Sequence, residues 1–304
     1  MTAIAAAGLG RDYGATRAVE AIDLEIADGE FFGFLGPNGA GKTTTIRMLT
    51  TLLRPSRGTA HVAGIDVTRD PLRVRARIGI VFQETTLDLD LTAAENLRFA
   101  ARVYGLSRAD SRVRVAEALE LFDLTPRRDD LVRSFSGGMR RALDLARGTL
   151  HRPEVLFLDE PTLGLDLGNR RRIWEFLRRV ADETGTTLFL TTHHLEEADP
   201  CDRVAIVDRG AITALGAPAD LKRSLGAETV VVSGAPVSEL AAEVEELVGE
   251  RPRVADDSVS LAREDAAETL MRLAPLAQRG RSVEVRRATL EDVFLSVTSA
   301  GAAR

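Results

Sequence analysis

Gly36-Pro37-Asn38-Gly39-Ala40-Gly41-Lys42-Thr43 is a loop with the composition needed to hold phosphate. Its glycines let the backbone curl until successive N–H groups face one centre, and the helical stretch that follows adds the partial positive charge of its N-terminus. Lys42 is placed to reach the β and γ phosphates of a nucleotide and the Thr43 hydroxyl to ligate Mg²⁺, with Thr44 in the same nucleotide-binding segment. By itself this loop implies only a nucleotide phosphate. Val155-Leu156-Phe157-Leu158-Asp159-Glu160 adds an acid at the end of a buried strand, Asp159, to orient hydrated magnesium. Glu160, one step further, is positioned to polarise an attacking water, which points to hydrolysis. Ser136-Gly137-Gly138, just before another helical stretch, is a second anion-binding device, since hydroxyl, backbone N–H and helix dipole point the same way. One chain therefore holds two phosphate sites.

The elements that must position these residues follow from hydrophobic periodicity. Met1 to Gly10 reads as a first strand, Ile22 to Ile26 alternates as a half-exposed strand, and Phe31 to Leu35 is a continuous buried one. Pro37, Asn38, Gly39 and Gly41 break it, and Lys42 to Leu53 resumes with helical spacing. Ile78 to Phe82, Val155 to Leu158 and Thr187 to Thr191 read as strands. Ala93 to Tyr104, Ala109 to Phe122, Gly138 to Leu150 and Asn169 to Asp182 read as helices. Apolar strands alternating with helices imply an α/β fold with a mostly parallel, helix-covered sheet. Arg203 to Asp208 and Ala211 to Leu215, split by Arg209-Gly210, form an expected closing hairpin. Beyond about Lys222 the order becomes strand, helix, strand, strand, helix, strand (Thr229 to Arg286), a small α+β unit of ferredoxin-like order. A last helix opens at Thr289-Leu290-Glu291-Asp292, a capping-box-like start.

The 304 residues favour one large domain and a smaller one. A net charge of −6, from 46 acids against 40 bases, argues against a broad nucleic-acid-binding surface. Cys201 is the single cysteine, so there is no intramolecular disulfide and no cysteine-pair metal site, which fits a reducing cytosol. It reads as a semi-buried residue at a helix end. No apolar stretch approaches the ~20 residues needed to span a bilayer, so a membrane role needs another chain. His61, His151 and Trp174 read as packing or surface residues, and Arg170-Arg171-Arg172 as a solvated helix face.

With these residues in place the chain resembles an ATP-binding-cassette (ABC) ATPase. Phe135-Ser136-Gly137-Gly138-Met139 is similar to the family's Leu-Ser-Gly-Gly-Gln signature, and the other elements fall in order across residues 1 to about 220. The resemblance implies that Tyr13 stacks on adenine, that Gln83 contacts magnesium and water and faces a transmembrane partner, that Asp166 in Gly164-Leu165-Asp166 is the D-loop aspartate, and that His193 contacts the γ-phosphate. His194 is assigned to the surface. It further implies that two cassettes pair head to tail, so that ATP held by one loop is covered by Ser136 and Gly138 of the other. Two departures stand out: Met139 in place of glutamine, and Leu167 where a proline usually follows the aspartate.

Glu95-Asn96-Leu97-Arg98-Phe99, Thr191 to Ala198 and Thr289 to Leu295 are similar to exporter ATPases of the daunorubicin/doxorubicin-resistance type. That resemblance implies a homodimer of cassettes on the cytoplasmic face of a bacterial membrane, binding ATP and Mg²⁺ and driving a separate multi-span permease that expels a hydrophobic compound. The segment between Gln83 and Leu97 is its expected permease contact. The expected organisation is an ABC domain over residues 1–222, with a helical subdomain over about 84–150, and a regulatory or dimer-bracing domain over 223–304. The competing class, a soluble cassette protein switching a grip on nucleic acid or ribosomes, usually carries two cassettes or a long coiled-coil insertion. Here only about 93 residues separate Thr43 from Ser136, with no long heptad tract. A catalytically dead scaffold is disfavoured because Lys42, Asp159, Glu160 and His193 are all present.

Overall fold

In the computed structural model, which describes residues 1–302 apart from 226, 227, 235, 256, 264, 265 and 279, the chain divides into two units, Met1–Leu215 and Gly216–Arg304. In the first, β1 (Thr2–Tyr13), β2 (Thr16–Ala27) and β3 (Phe31–Leu35) lead into α1 (Lys42–Leu49). Next come β4 (Arg57–Val62), β5 (Ile65–Asp66), α2 (Pro71–Arg77), β6 (Ile78–Val81), α3 (Ala93–Val103), α4 (Arg108–Leu121) and α5 (Gly137–Thr149). β7 (Val155–Asp159), α6 (Leu167–Thr184), β8 (Thr187–Thr192), β9 (Arg203–Asp208) and β10 (Ala211–Gly216) complete it.

Its ten strands run in the order β5-β4-β1-β2-β10-β9-β3-β8-β7-β6. The half that carries the chemistry is parallel: β3 pairs with β8 and β9, and β7 pairs with β8 and β6. The other half, β1 with β2 and β4, is antiparallel. Strands buried on both faces are apolar throughout, as β3 and β7 are, and Phe32, Phe34, Phe157 and Phe189 stack across the core between them. The parallel strands end together, so the loops after β3, β6, β7 and β8 open on one edge, where ligands of open α/β sheets bind.

Several elements differ from expectation. α1 stops at Leu49, not Leu53, because Thr50 bonds back to the Ile46 carbonyl at 2.8 Å and Thr51 turns left-handed at φ 64°. β4, β5 and α2 were not legible as elements, although Asp70 caps α2 and Pro71 opens it. Trp174 stacks on Phe31, and His151 lies against Tyr104 with ring centroids 3.7 Å apart. Cys201 is buried, and burial pushes its thiol well above the usual range, which keeps it unreactive.

The second unit begins with α7 (Pro218–Arg223), also unforeseen, followed by β11 (Glu228–Ser233), α8 (Val237–Val248), β12 (Arg253–Val254), β13 (Ser258–Arg263), α9 (Ala267–Gln278), β14 (Ser282–Arg287) and α10 (Leu290–Ala302). The sheet order β12-β13-β11-β14, antiparallel throughout, is that of a ferredoxin-like unit. Val230, Val232, Leu240, Val244, Leu261 and Leu273 form its own core. Thr289 and Asp292 exchange the two bonds of a capping box at the start of α10, at 2.8 and 3.2 Å.

Candidate nucleotide site

The turn from β3 into α1 depends on two glycines. A Cβ on Gly36 would lie 2.2 Å from the Val207 carbonyl oxygen, and Gly41, which caps α1, has φ 99° with a would-be Cβ 2.7 Å from the Ala18 oxygen. No other residue fits both constraints. The loop opens into a cleft of about 480 Å³ lined by Asn38, Gly39, Gly41, Lys42, Thr43 and Thr44, and on its far side by Gln83, Glu160 and His193. Gly36, Pro37 and Ala40 are not among the cleft's lining residues.

Lys42 is buried, and its Nζ donates to the carbonyls of Gly36 at 2.7 Å and Pro37 at 3.1 Å. Burial lowers its pKa; the carboxylates of Glu160 and Asp159 oppose that shift. One Glu160 oxygen stands 3.7 Å from Lys42 Nζ and 3.1 Å from His193 Nδ1. Two groups widely spaced in sequence, Lys42 and His193, thus meet at the Glu160 carboxylate. The ring of His194 is tilted against that of His193, 4.1 Å between centroids, and His194 is half-buried, in contrast to the surface position expected for it.

Asp159, at the end of β7, accepts from Thr191 Oγ1 at 2.6 Å and has Thr43 Oγ1 at 3.4 Å. A hydroxyl and a carboxylate of this kind fit Mg²⁺, a hard cation that takes oxygen ligands and shares them with substrate phosphates. Glu160 follows in the left-handed region at φ 48°, a strained state for a residue with a Cβ. Its N–H donates to the backbone and side-chain oxygens of Thr191, at 3.1 and 3.2 Å.

Tyr13 is not brought to the cleft lining. It is exposed at the end of β1, with the Arg11 guanidinium 4.9 Å from its ring centroid. Ser136 caps α5 by accepting from Met139 N at 3.3 Å. Ser136 and Gly138 line a different groove, of about 250 Å³, together with Met139 and Asn169. Gly137, between them, starts α5. The two phosphate devices therefore face separate spaces.

Asp166 caps α6, accepting from Asn169 N at 2.9 Å and Asn169 Nδ2 at 2.7 Å, and these bonds hold its carboxyl below the usual range. Asn169 also packs on Gly138, where a Cβ would be 2.2 Å from its Oδ1, so one side chain joins the D-loop to the signature. Arg170 is not the solvated residue expected from the arginine run. Its Nε donates to Leu165 O at 2.9 Å, and it pairs with Glu197 at 3.1 Å, which also accepts from Thr162 Oγ1. Sequence reasoning missed these roles. A polar side chain on a helix reveals its partners only when the loops it reaches have been placed.

Arg141, also unforeseen, is the most enclosed guanidinium near the cleft. It donates to Pro161 O at 2.7 Å, Phe82 O at 2.6 Å, Glu160 O at 3.2 Å and Asp159 O at 3.4 Å. Burial lowers its pKa, with Asp144 and Asp159 opposing, and the guanidinium stays charged. Three residues on, Asp144 is fully buried and pairs with Arg147 at 2.8 Å; burial raises its carboxyl pKa. Arg147 donates in turn to Thr86 O at 2.9 Å and Thr86 Oγ1 at 2.5 Å.

The fold, the loop and the acid pair define a phosphate-binding cassette, and comparison with known proteins agrees. Residues 19–163 match the ABC transporter family. The chain is 42% identical over 306 residues to the daunorubicin/doxorubicin resistance ATP-binding protein DrrA of Streptomyces peucetius, covering 97% of this chain and 92% of the relative. It is 40% identical over 290 residues to the Nod factor export ATP-binding protein I of Paraburkholderia xenovorans (strain LB400), covering 95% and 94%. The dimeric post-hydrolysis structure of the ATP-binding cassette MJ0796 with ADP and Pi superposes with a TM-score of 0.63 at 25% identity, over 70% of this chain and 98% of that one. The chain belongs to the ABC transporter family, as an ATP-binding subunit that hydrolyses ATP.

Proposed function

We propose that this chain powers the export of a hydrophobic, drug-like compound by hydrolysing ATP in a pair of cassettes on the cytoplasmic face of a bacterial membrane, against a separate multi-span permease. Among the described residues no helix is long and apolar enough to cross a membrane. The observation that carries the reading is the meeting of Lys42 and His193 at the Glu160 carboxylate beside the glycine loop. The names of relatives at about 40% identity, one a drug-resistance protein and one an export protein, support export as the direction.

In this reading the loop N–H groups and Lys42 hold the β and γ phosphates, with Thr43 and Asp159 as the magnesium-side residues and Gln83 beside them. The metal, when bound, neutralises charge on the phosphate oxygens. The Glu160 carboxylate accepts a proton from water as the water oxygen attacks the γ-phosphorus. The bond from that phosphorus to the β,γ-bridging oxygen breaks, and ADP and phosphate leave. His193 donates to a γ-phosphate oxygen and keeps Glu160 oriented. Ser136 and Gly138 cap the nucleotide of the second copy, a role supported by their separate groove. Tyr13 would need to shed Arg11 from its face to stack on adenine. The second unit, which contributes none of these residues, is assigned regulation or bracing of the pair.

Replacing Glu160 with Gln tests the reading. ATP binding should persist, an ATP-bound dimer should accumulate, and hydrolysis should fall by roughly two to three orders of magnitude; full residual turnover would remove Glu160 as the base. Co-purification with a multi-span permease supports transport, whereas stable association with ribosomes or DNA would exclude it.

A further inference from the structure

We infer that Arg141 is a positioning residue for hydrolysis: it holds the left-handed turn that aims Glu160 and ties that turn to the residue before Gln83. The inference rests on the assignment of Glu160 as the base. Residues 159, 160 and 161 present three successive carbonyls to one guanidinium, and the fourth acceptor is Phe82 O, adjacent to Gln83.

Successive carbonyls of a strand point to opposite sides. They converge here because Glu160 leaves the strand at φ 48°. A non-glycine residue in that region persists only where its surroundings over-determine it. On one side the Glu160 N–H is held by Thr191. On the other the carbonyls of 159 to 161 meet Arg141, a planar fork whose several donors reach several acceptors at once. A buried charge is a poor source of stability when a well-packed apolar residue could replace it. Its presence beside Glu160 therefore calls for a geometric role.

Arg141 sits on the first turns of α5, whose N-terminus is the signature segment, and Arg147 on the same helix holds Thr86, beyond Gln83. The segment carrying Gln83 is thus gripped by α5 on both sides, and Arg141 alone also reaches Glu160. A change in the position of α5 is transmitted to the base and to Gln83 together.

Lysine offers one nitrogen in place of three and cannot reach four carbonyls. In purified full-length protein, Arg141→Lys should lower kcat by roughly ten- to a hundredfold while the KM for ATP stays within about twofold, since misplacement of a reacting group by about 1 Å costs that much. If Arg141 acts through Glu160, the effect vanishes when the carboxylate is gone: Arg141→Lys in the Glu160→Gln background should hydrolyse ATP no more slowly than Glu160→Gln alone. Thermal unfolding should show the wild-type cooperative transition in Arg141→Lys, with Arg141→Gln as the second variant. Wild-type kcat in Arg141→Lys, a raised KM with kcat intact, or multiplying losses in the double variant would overturn the inference. So would loss of fold in both single variants, which would make Arg141 a folding requirement. A wild-type protein without ATPase activity would instead remove the underlying assignment of function.

Discussion

Lys42 illustrates how the site trades stability for chemistry. Its ammonium is enclosed by the loop and its pKa lies below the ordinary value, so the folded state binds this proton less readily than the unfolded chain does. Its cost to stability is therefore full at pH values below the lowered folded pKa. The cost fades as pH rises from there through the unfolded value of about 10.4. Lys42→Met should abolish measurable hydrolysis yet leave the melting temperature at neutral pH unchanged or higher, and should reduce the gain in stability on raising pH toward 10. A melting temperature several degrees lower by calorimetry would contradict this. The residues of the loop were legible in sequence because backbone geometry permits little else: Gly36 and Gly41 occupy positions that a side chain cannot share. Arg141 was not legible, since one arginine in a run of two looks like any other until the carbonyls of residues 82 and 159 to 161 are brought to it.

Among the elements, the continuously apolar strands and the periodic helices were readable, and the polar strand and the shortest elements were not. β3 was predicted to the residue and α5 to within one, whereas β5, α2 and α7 are too short to carry a period and β4, with only Ala60 and Val62 apolar among its six residues, shows no apolar run. The D-loop shows how an unusual residue fits its element. Leu167, in the place of the usual proline, is the first residue of α6 and is 78% exposed. Asp166 before it is extended at φ −68°, ψ 165°, the conformation a following proline demands. A first-turn N–H has no partner within the helix, so proline would lose nothing there and would restrict the unfolded chain. Leu167→Pro should stabilise the protein by about 0.5–1 kcal/mol in urea unfolding with little change in turnover. A loss of stability would mean that the Leu167 N–H has a role the local geometry does not suggest.

Over the whole molecule, the two units carry separate cores and all the nucleotide-site residues belong to the first. Calorimetry should resolve two unfolding transitions, of which only the one from the larger unit rises with ATP, by about 2.7 kcal/mol at a hundredfold excess over Kd. A single transition that moves as one would show instead that the units are energetically fused. The sequence pattern alone revealed the second unit's strand and helix order. Its purpose was not legible, because a regulatory surface needs no residue chemistry as specific as a phosphate loop.

The central claim is that the hydrolysing unit is a pair, each nucleotide lying between the Gly36 to Thr43 loop of one copy and Ser136 and Gly138 of the other. Mixing two inactive variants tests it directly. Lys42→Ala disables the loop and Ser136→Arg disables the signature, so neither should hydrolyse ATP alone. A mixed pair would contain one site with both halves intact, and an equal mixture should recover roughly a quarter of the wild-type rate if pairing is random and sites act independently. A mixture as inactive as its components, with pairing demonstrated by cross-linking, would mean that loop and signature serve the same chain and would contradict the account.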